Sequence, residues 1–232
     1  MQSTVVSHKT SHKTTVYDCE GKVYNCKNLT ELELAVNTEA SKRLKAIAIE
    51  EGAYLKSDRP IFRLSSGKMS DHYFEGKKIT LSPKGAHHVA KMVLDELSGE
   101  KVDAIGGLVI GAALIASAVA AIADVEGKTQ HTFIVREKPK EHGTQRLIEG
   151  HLKEGWRVAV VDDVITTGAS VLKAIEAVEE AGCSVVKVIA IVDRHEGGSD
   201  ELRRRGYNFQ AFLSLKPPGE LAIEEMAVST DH

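Results

Sequence analysis

Two nearly unbroken apolar runs, residues 157–161 and 184–192, are separated by a helical stretch, 169–180, that ends at Ala181-Gly182. A strand that is apolar at consecutive positions has to be covered on both faces, which is the situation of a parallel sheet in an α/β domain. The alternation continues upstream with a strand over 102–109, an alanine-rich helix over 112–123 and a short strand over 132–135. Downstream it continues with a short helix over 200–205 and a strand over 209–213. The pattern predicts an α/β fold with a central, mostly parallel sheet flanked by helices. Ligands of such sheets bind beyond the carboxyl ends of the strands, so the loops there should hold the chemistry.

The loop after the first run is the most specific stretch of the chain. Val158-Ala159-Val160-Val161 leads into Asp162-Asp163, and then Val164-Ile165-Thr166-Thr167-Gly168-Ala169-Ser170 opens a helix. Backbone N–H groups at a helix N-terminus, joined by Thr and Ser hydroxyls, form a phosphate cradle. Gly168 lets the main chain approach the anion closely. The two acids would repel that phosphate; they suit the hydroxyls of a polyol, or water on Mg²⁺. A phosphate beside a vicinal diol is a ribose 5-phosphate. With no Gly-Lys-Ser/Thr present, this is not a Walker A loop. Carboxylates capping a helix after a core strand would account for one of the acids, but not for the whole string.

Residues 158–170 resemble the signature by which type I phosphoribosyltransferases bind 5-phosphoribosyl 1-diphosphate (PRPP). The resemblance implies that Asp162 and Asp163 hold the ribose hydroxyls and that Thr166, Thr167, Gly168, Ala169 and Ser170 hold the 5-phosphate. Val164 and Ile165 complete that loop. It also implies Mg²⁺ held through PRPP near Asp162 and Asp163, with no dedicated all-protein metal site. The fold implied is the type I phosphoribosyltransferase fold, with a small N-terminal hood.

Three further segments resemble the orotate phosphoribosyltransferases. Residues 62–74, Phe62-Arg63-Leu64-Ser65-Ser66-Gly67-Lys68-Met69-Ser70-Asp71-His72-Tyr73-Phe74, are similar to the Ser-Gly-x-x-Ser-x-x-Tyr start of the base-binding hood. Tyr73 and Phe74 offer flat surface to a pyrimidine, although Phe74 alone also reads as a core-facing strand residue. Residues 136–143, Arg136-Glu137-Lys138-Pro139-Lys140-Glu141-His142-Gly143, resemble the family's lid; as a bare string they would read as a solvated charge run. Arg136, Lys140 and His142 carry over as catalytic residues and Lys138 as a PRPP contact. Asp193-Arg194-His195-Glu196 resembles the Asp-Arg-x-Glu turn whose arginine reads the pyrimidine, with a surface salt bridge as the alternative. Thr166 joins Tyr73, Phe74 and Arg194 as orotate contacts.

The chain departs from the family at three places. Glu137 stands where a lysine is usual, Ser65 where many members have lysine, and residues 106–113 lack the lysine some members carry. The amides of Gly106, Gly107 and Gly111 remain available for pyrophosphate.

The resemblance spans about residues 29–213. It divides the chain into an extension (1–28), a catalytic domain (29–215, with hood elements near 53–81 and a core at 82–215) and a tail (216–232). In the extension, Ser7-His8-Lys9-Thr10 repeats at once as Ser11-His12-Lys13-Thr14, which favours a polar tail over a His8/His12 metal pair. A small hairpin around 18–21 is the alternative local structure there. Thr30 with Glu33 resembles a capping box, Thr38 opens a second helical run, Gly52 stops it, and Ser82-Pro83 starts another helix.

At 232 residues, 42% hydrophobic and 27% charged, the chain suits one soluble domain with a modest appendage. A net charge of -3 and a pI near 6.4 count against stable nucleic-acid binding. Nothing approaches the ~20 apolar residues of a membrane span, and the polar N-terminus lacks a secretory core, so the expected location is cytoplasmic. Cys19, Cys26 and Cys183 form no C-x-x-C pair and read as free thiols. The function expected is Mg²⁺-dependent transfer of ribose 5-phosphate from PRPP to orotate, by a homodimer with shared active sites. The rivals are a phosphoribosyltransferase for a purine or other base, and a PRPP-sensing regulator.

Overall fold

The computed structural model describes residues 8–10, 13–17, 23–26, 29–63, 67, 69–138, 147–216 and 219–224, with side chains from residue 37 onward. The N-terminal part holds the strands β1 (His8–Thr10), β2 (Lys13–Tyr17) and β3 (Val23–Cys26), then the helix α1 (Leu29–Glu50). Next come the short strands β4 (Tyr54–Lys56), β5 (Phe62–Arg63), β6 (Met69–Ser70) and β7 (His72–Phe74), followed by α2 (Gly76–Thr80) and α3 (Pro83–Glu96). The core continues through β8 (Ala104–Leu108), α4 (Gly111–Val125), β9 (His131–Val135), β10 (Ile148–Gly150) and β11 (Arg157–Ile165). It ends with α5 (Ala169–Glu180), β12 (Ser184–Asp193), α6 (Gly198–Arg204), β13 (Phe209–Lys216) and β14 (Glu220–Ile223).

The main sheet has the order β10-β9-β8-β11-β12-β13-β14. Its five inner strands are parallel, and β10 and β14 are added antiparallel at the two edges. The apolar run of β11 shows why both faces must be covered. Ala159 and Val161 belong to a core with α1, α3 and α4, while Val158 and Val160 belong to a second core with α5 and α6. All four are at most 1% exposed, and burying each valine stabilises the fold by roughly 1.5–3 kcal/mol. On the hood side, β4 pairs with β7 and β5 with β6, both antiparallel.

Several local expectations change. The stretch expected to hold two helical runs is one helix, α1, with Thr38 inside it. Its end is a Schellman turn: Gly52 sits at φ +65, its N–H bonds Ile49 O at 3.1 Å, and the Ala53 N–H bonds Ala48 O at 2.8 Å. The polar N-terminal repeat contains paired strand, with His8 opposite Thr15 and Thr10 opposite Lys13, instead of an unstructured tail. β2 then pairs with β3, Tyr17 opposite Val23, around residues outside those described. The β-branched and aromatic run Thr14-Thr15-Val16-Tyr17 favours strand. The start of the expected tail belongs to the sheet, as the end of β13 and β14.

Gly106 and Gly107 lie inside β8, in register with Phe133 and Ile134 of β9, and not in a phosphate loop. A Cβ on Gly106 would come 2.1 Å from Phe133 O, and one on Gly107 would come 2.4 Å from Val161 O. These glycines serve strand packing. Ser82 caps α3 as expected, accepting from the Gly85 N–H at 3.1 Å with Pro83 at the first helical position. Cys183 is free and buried; Cys19 lies outside the described residues. No helix among the described residues is long and apolar enough to cross a membrane.

Candidate active site

β11 runs four residues further than its apolar stretch, because Asp162–Ile165 continue the ladder to β12 as far as the pair Ile165 and Asp193. The acids are therefore held on a rigid strand. Gly168, at φ +79, turns the chain into α5. Residues 164–171 together with Asp162 enclose a hollow of about 40 Å³ at the start of that helix. The turn after β12 is bonded to this loop: Arg194 N–H donates to Ile165 O at 3.0 Å, and Gly198 N–H to Thr166 O at 2.9 Å. A side chain on Gly198 would meet Gly168 N and Thr166 O at 2.6 Å, so the two loops touch along bare backbone. The phosphate loop and the arginine turn are thus one rigid body.

Beside the hollow opens a cleft of about 270 Å³. Its hood wall is made by Arg63, Tyr73, Phe74, Glu75, Gly76 and Lys77, and its core wall by Asp163, Val164, Thr166 and Arg194. The Tyr73 ring is backed by Phe62, with centroids 5.9 Å apart and planes 25° apart. Phe74 is 4% exposed and belongs chiefly to the core. Arg194 is 7% exposed and lines the cleft, and its Nε donates to Oε1 of the half-buried Glu196 at 2.9 Å.

The electrostatics centre on the acid pair. Asp162 is 8% exposed. Burial, and then the adjacent Asp163 charge, push its carboxyl up to about 8. The Asp163 N–H donates to Asp162 Oδ1 at 2.9 Å and offsets part of this. Lys77 Nζ stands 4.0 Å from Asp163 Oδ2. Two glycines make room for the pair. A Cβ on Gly111 would lie 2.6 Å from Asp163 Oδ1 and 2.7 Å from Asp162 Oδ1, and one on Gly76 would lie 2.7 Å from Asp163 Cβ. Buried, poorly compensated carboxylates of this kind call for hydroxyl donors or a hydrated cation.

Asp162, Asp163, the 164–170 loop, Tyr73 and Arg194 converge as expected. Arg136 lies at the root of the β9–β10 connection, where its N–H bonds Leu147 O at 2.9 Å and its Nη1 meets Glu149 Oε1 at 2.9 Å. Lys138 is exposed there, and its carbonyl accepts a 3.4 Å bond from Arg136 Nε. Lys140 and His142 lie outside the described residues, as do Ser65 and Ser66. The cleft also holds residues that sequence reasoning did not single out: Arg63, Glu75, Gly76 and Lys77. Gly111, expected to offer an amide to pyrophosphate, lies behind the acids. Only the run Glu75-Gly76-Lys77-Lys78, directly after the hood aromatics, offered a signal.

A buried acid pair on a strand end, a hydroxyl-rich loop at a helix start, and a hood wall facing both across a cleft are the arrangement expected of a phosphoribosyltransferase. The family model described as Phosphoribosyl transferase domain matches residues 76–207. The chain is 42% identical over 159 residues to the orotate phosphoribosyltransferase of Aquifex aeolicus, covering 68% of this chain and 87% of that protein. It is 40% identical over 164 residues to the Synechocystis enzyme of the same name, covering 70% and 81%. Among solved structures, Mycobacterium tuberculosis orotate phosphoribosyltransferase in complex with PRPP superposes with a TM-score of 0.60 at 27% identity, over 77% of this chain and 95% of that one. The Aeropyrum pernix enzyme gives a TM-score of 0.60 at 27% identity, over 74% and 94%. The chain belongs to the orotate phosphoribosyltransferase family.

Proposed function

We propose that this chain transfers the ribose 5-phosphate of PRPP to orotate, giving orotidine 5′-monophosphate and pyrophosphate. The observation that carries this reading is the single cleft in which Tyr73 and the buried Arg194 face Asp163 and Thr166 of the sugar-phosphate loop. In this reading residues 166–170 hold the 5-phosphate, and Asp162 and Asp163 accept from the ribose hydroxyls. Tyr73 lies against the pyrimidine, Thr166 contacts it, and Phe74 supports the floor. Arg194 donates to a pyrimidine carbonyl through the guanidinium N–H groups that Glu196 leaves unused.

The bond from the anomeric carbon to the diphosphate oxygen breaks as the bond to the base nitrogen forms. Positive charge gathers on the sugar and negative charge on the leaving group, so the protein's task is chiefly electrostatic. Arg136, with Lys140, His142 and Lys138 of the connection after it, is assigned to the leaving pyrophosphate on the family resemblance. Among the described residues no group of three or more His, Cys, Asp or Glu side chains is arranged to hold a metal ion. The acid pair nonetheless fits Mg²⁺ that arrives on PRPP, because Asp162 and Asp163 can accept from its water. When bound there, the ion supplies Lewis-acid neutralisation of the diphosphate. A cytoplasmic homodimer with shared active sites completes the proposal. Mixing Lys140→Ala subunits with Asp162→Asn/Asp163→Asn subunits would test the sharing through recovered activity.

The primary test follows orotate spectrophotometrically with PRPP and Mg²⁺, beside uracil, adenine, guanine and hypoxanthine. Orotate loss that depends on both PRPP and Mg²⁺ is expected. Consumption of another base instead would overturn the base assignment, and no turnover of any base would favour a PRPP sensor.

A further inference from the structure

Three residues that line the cleft are cationic: Arg63, Lys77 and Arg194. Two of them are already engaged. Lys77 faces Asp163 at 4.0 Å, and Arg194 is bound to Glu196 at 2.9 Å. Arg63 makes no ion pair or side-chain hydrogen bond with any described residue, including Glu75, the carboxylate of the hood wall. It is exposed at the end of β5, in register with Met69 of β6. The residue beside it, Phe62, stacks on Tyr73. The strand that carries this unpaired guanidinium is therefore fixed to the ring against which a flat base would lie.

A base that enters this cleft as an anion needs a counter-charge. Removing a carboxylate from water without one is strongly unfavourable. Arg194 cannot supply a full charge, because Glu196 neutralises it; its free N–H groups suit uncharged carbonyls. The 5-phosphate is assigned to the loop at the start of α5, whose residues 164–171 line a separate hollow. Glu75 would repel an anionic substituent, which leaves the Arg63 side of the hood wall for it. A guanidinium presents paired N–H donors that match a carboxylate's two oxygens.

We propose that Arg63 recognises the carboxylate of the base and so sets the preference for orotate over uncharged pyrimidines. This rests on the reading of the chain as an orotate-using enzyme and adds a residue to it. Arg63 is a specificity residue; the chemistry at the anomeric carbon does not need it.

The test compares the unmutated enzyme with Arg63→Gln and Arg63→Lys. The quantities measured are kcat/KM for orotate, the inhibition constant of uracil against orotate, and KM for PRPP. A charge-assisted, two-donor contact predicts a loss of about 10- to 100-fold in orotate kcat/KM for Arg63→Gln, with partial recovery in Arg63→Lys. Uracil inhibition and the KM for PRPP should stay within about twofold. Equal losses for orotate and uracil, a matching rise in the PRPP KM, or unchanged orotate kinetics would overturn the assignment. Unchanged orotate selectivity in Arg63→Gln beside an active parent would remove Arg63 alone. A parent enzyme that does not use orotate would overturn the functional reading beneath it.

Discussion

Replacing Asp162 by Asn should remove a loss of stability with rising pH from the unliganded protein. The native carboxyl is held up at about 8 by burial and by Asp163, against an ordinary value of 3.8. Between those two values the native state binds more protons than the unfolded chain does. The free energy of unfolding therefore falls as pH rises through this window. At about 1.4 kcal/mol per tenfold change in proton affinity, the upper limit is roughly 6 kcal/mol. Asn is neutral and nearly isosteric, and its carbonyl can still accept the Asp163 N–H that now bonds Asp162 Oδ1 at 2.9 Å. The expected outcome is similar stability of the two proteins near pH 4.5 and a variant more stable by about 2–5 kcal/mol at pH 9. Urea unfolding followed by fluorescence reads this directly, because the chain has one tryptophan, Trp156, stacked on His131. If Asp162 accepts from the ribose hydroxyls as proposed, the same variant should bind PRPP more weakly, since one acceptor oxygen becomes an amide donor. Parallel stability profiles for the two proteins from pH 4.5 to 9 would refute the reasoning.

Three shorter predictions accompany it. Gly111→Ala puts a methyl 2.6 Å from Asp163 Oδ1; the KM for PRPP should rise by about 10-fold or more in steady-state assays while circular dichroism stays native. Ser82→Ala removes the cap of α3 and should lower stability by about 1 kcal/mol in urea titration, leaving kinetics untouched. Glu224→Ala removes the 3.2 Å contact to His195 Nε2 next to Arg194. The KM for orotate should rise about 3- to 10-fold with the KM for PRPP unchanged; equal rises in both would argue against a role in positioning that turn.

The parts of the fold that were legible in the sequence are those whose signal is local. The inner strands and α5 announce themselves by apolar runs and helical period, and Ser82-Pro83 marks a helix start by its own chemistry. β11 looks shorter in sequence than it is because Asp162 and Asp163 interrupt the apolar pattern, although the ladder to β12 carries them along. The edge strands β10 and β14, of 3 and 4 residues, are too short and too mixed in polarity to show a period. Glycines are ambiguous for a related reason. Gly106 and Gly111 look alike in sequence, yet one lets strands pack and the other clears space for two carboxylates. The sugar-phosphate loop was legible because its chemistry is contiguous. Arg63, Glu75 and Lys77 were not, because their meaning depends on the hood meeting a loop some ninety residues away.

The sheet's geometry also bears on how such an enzyme could change over generations. The loop assigned to the phosphate grows out of the central strand β11, hemmed in by parallel neighbours and two apolar cores. The connection assigned to the leaving group hangs between β9 and the edge strand β10, and the hood is a set of strands of 2 or 3 residues outside the main sheet. Insertions, deletions and exchanges at these margins disturb little buried surface, whereas the same changes at β11 would dismantle the domain. Selection can therefore rewrite base preference while the capacity to bind an activated ribose phosphate is inherited intact.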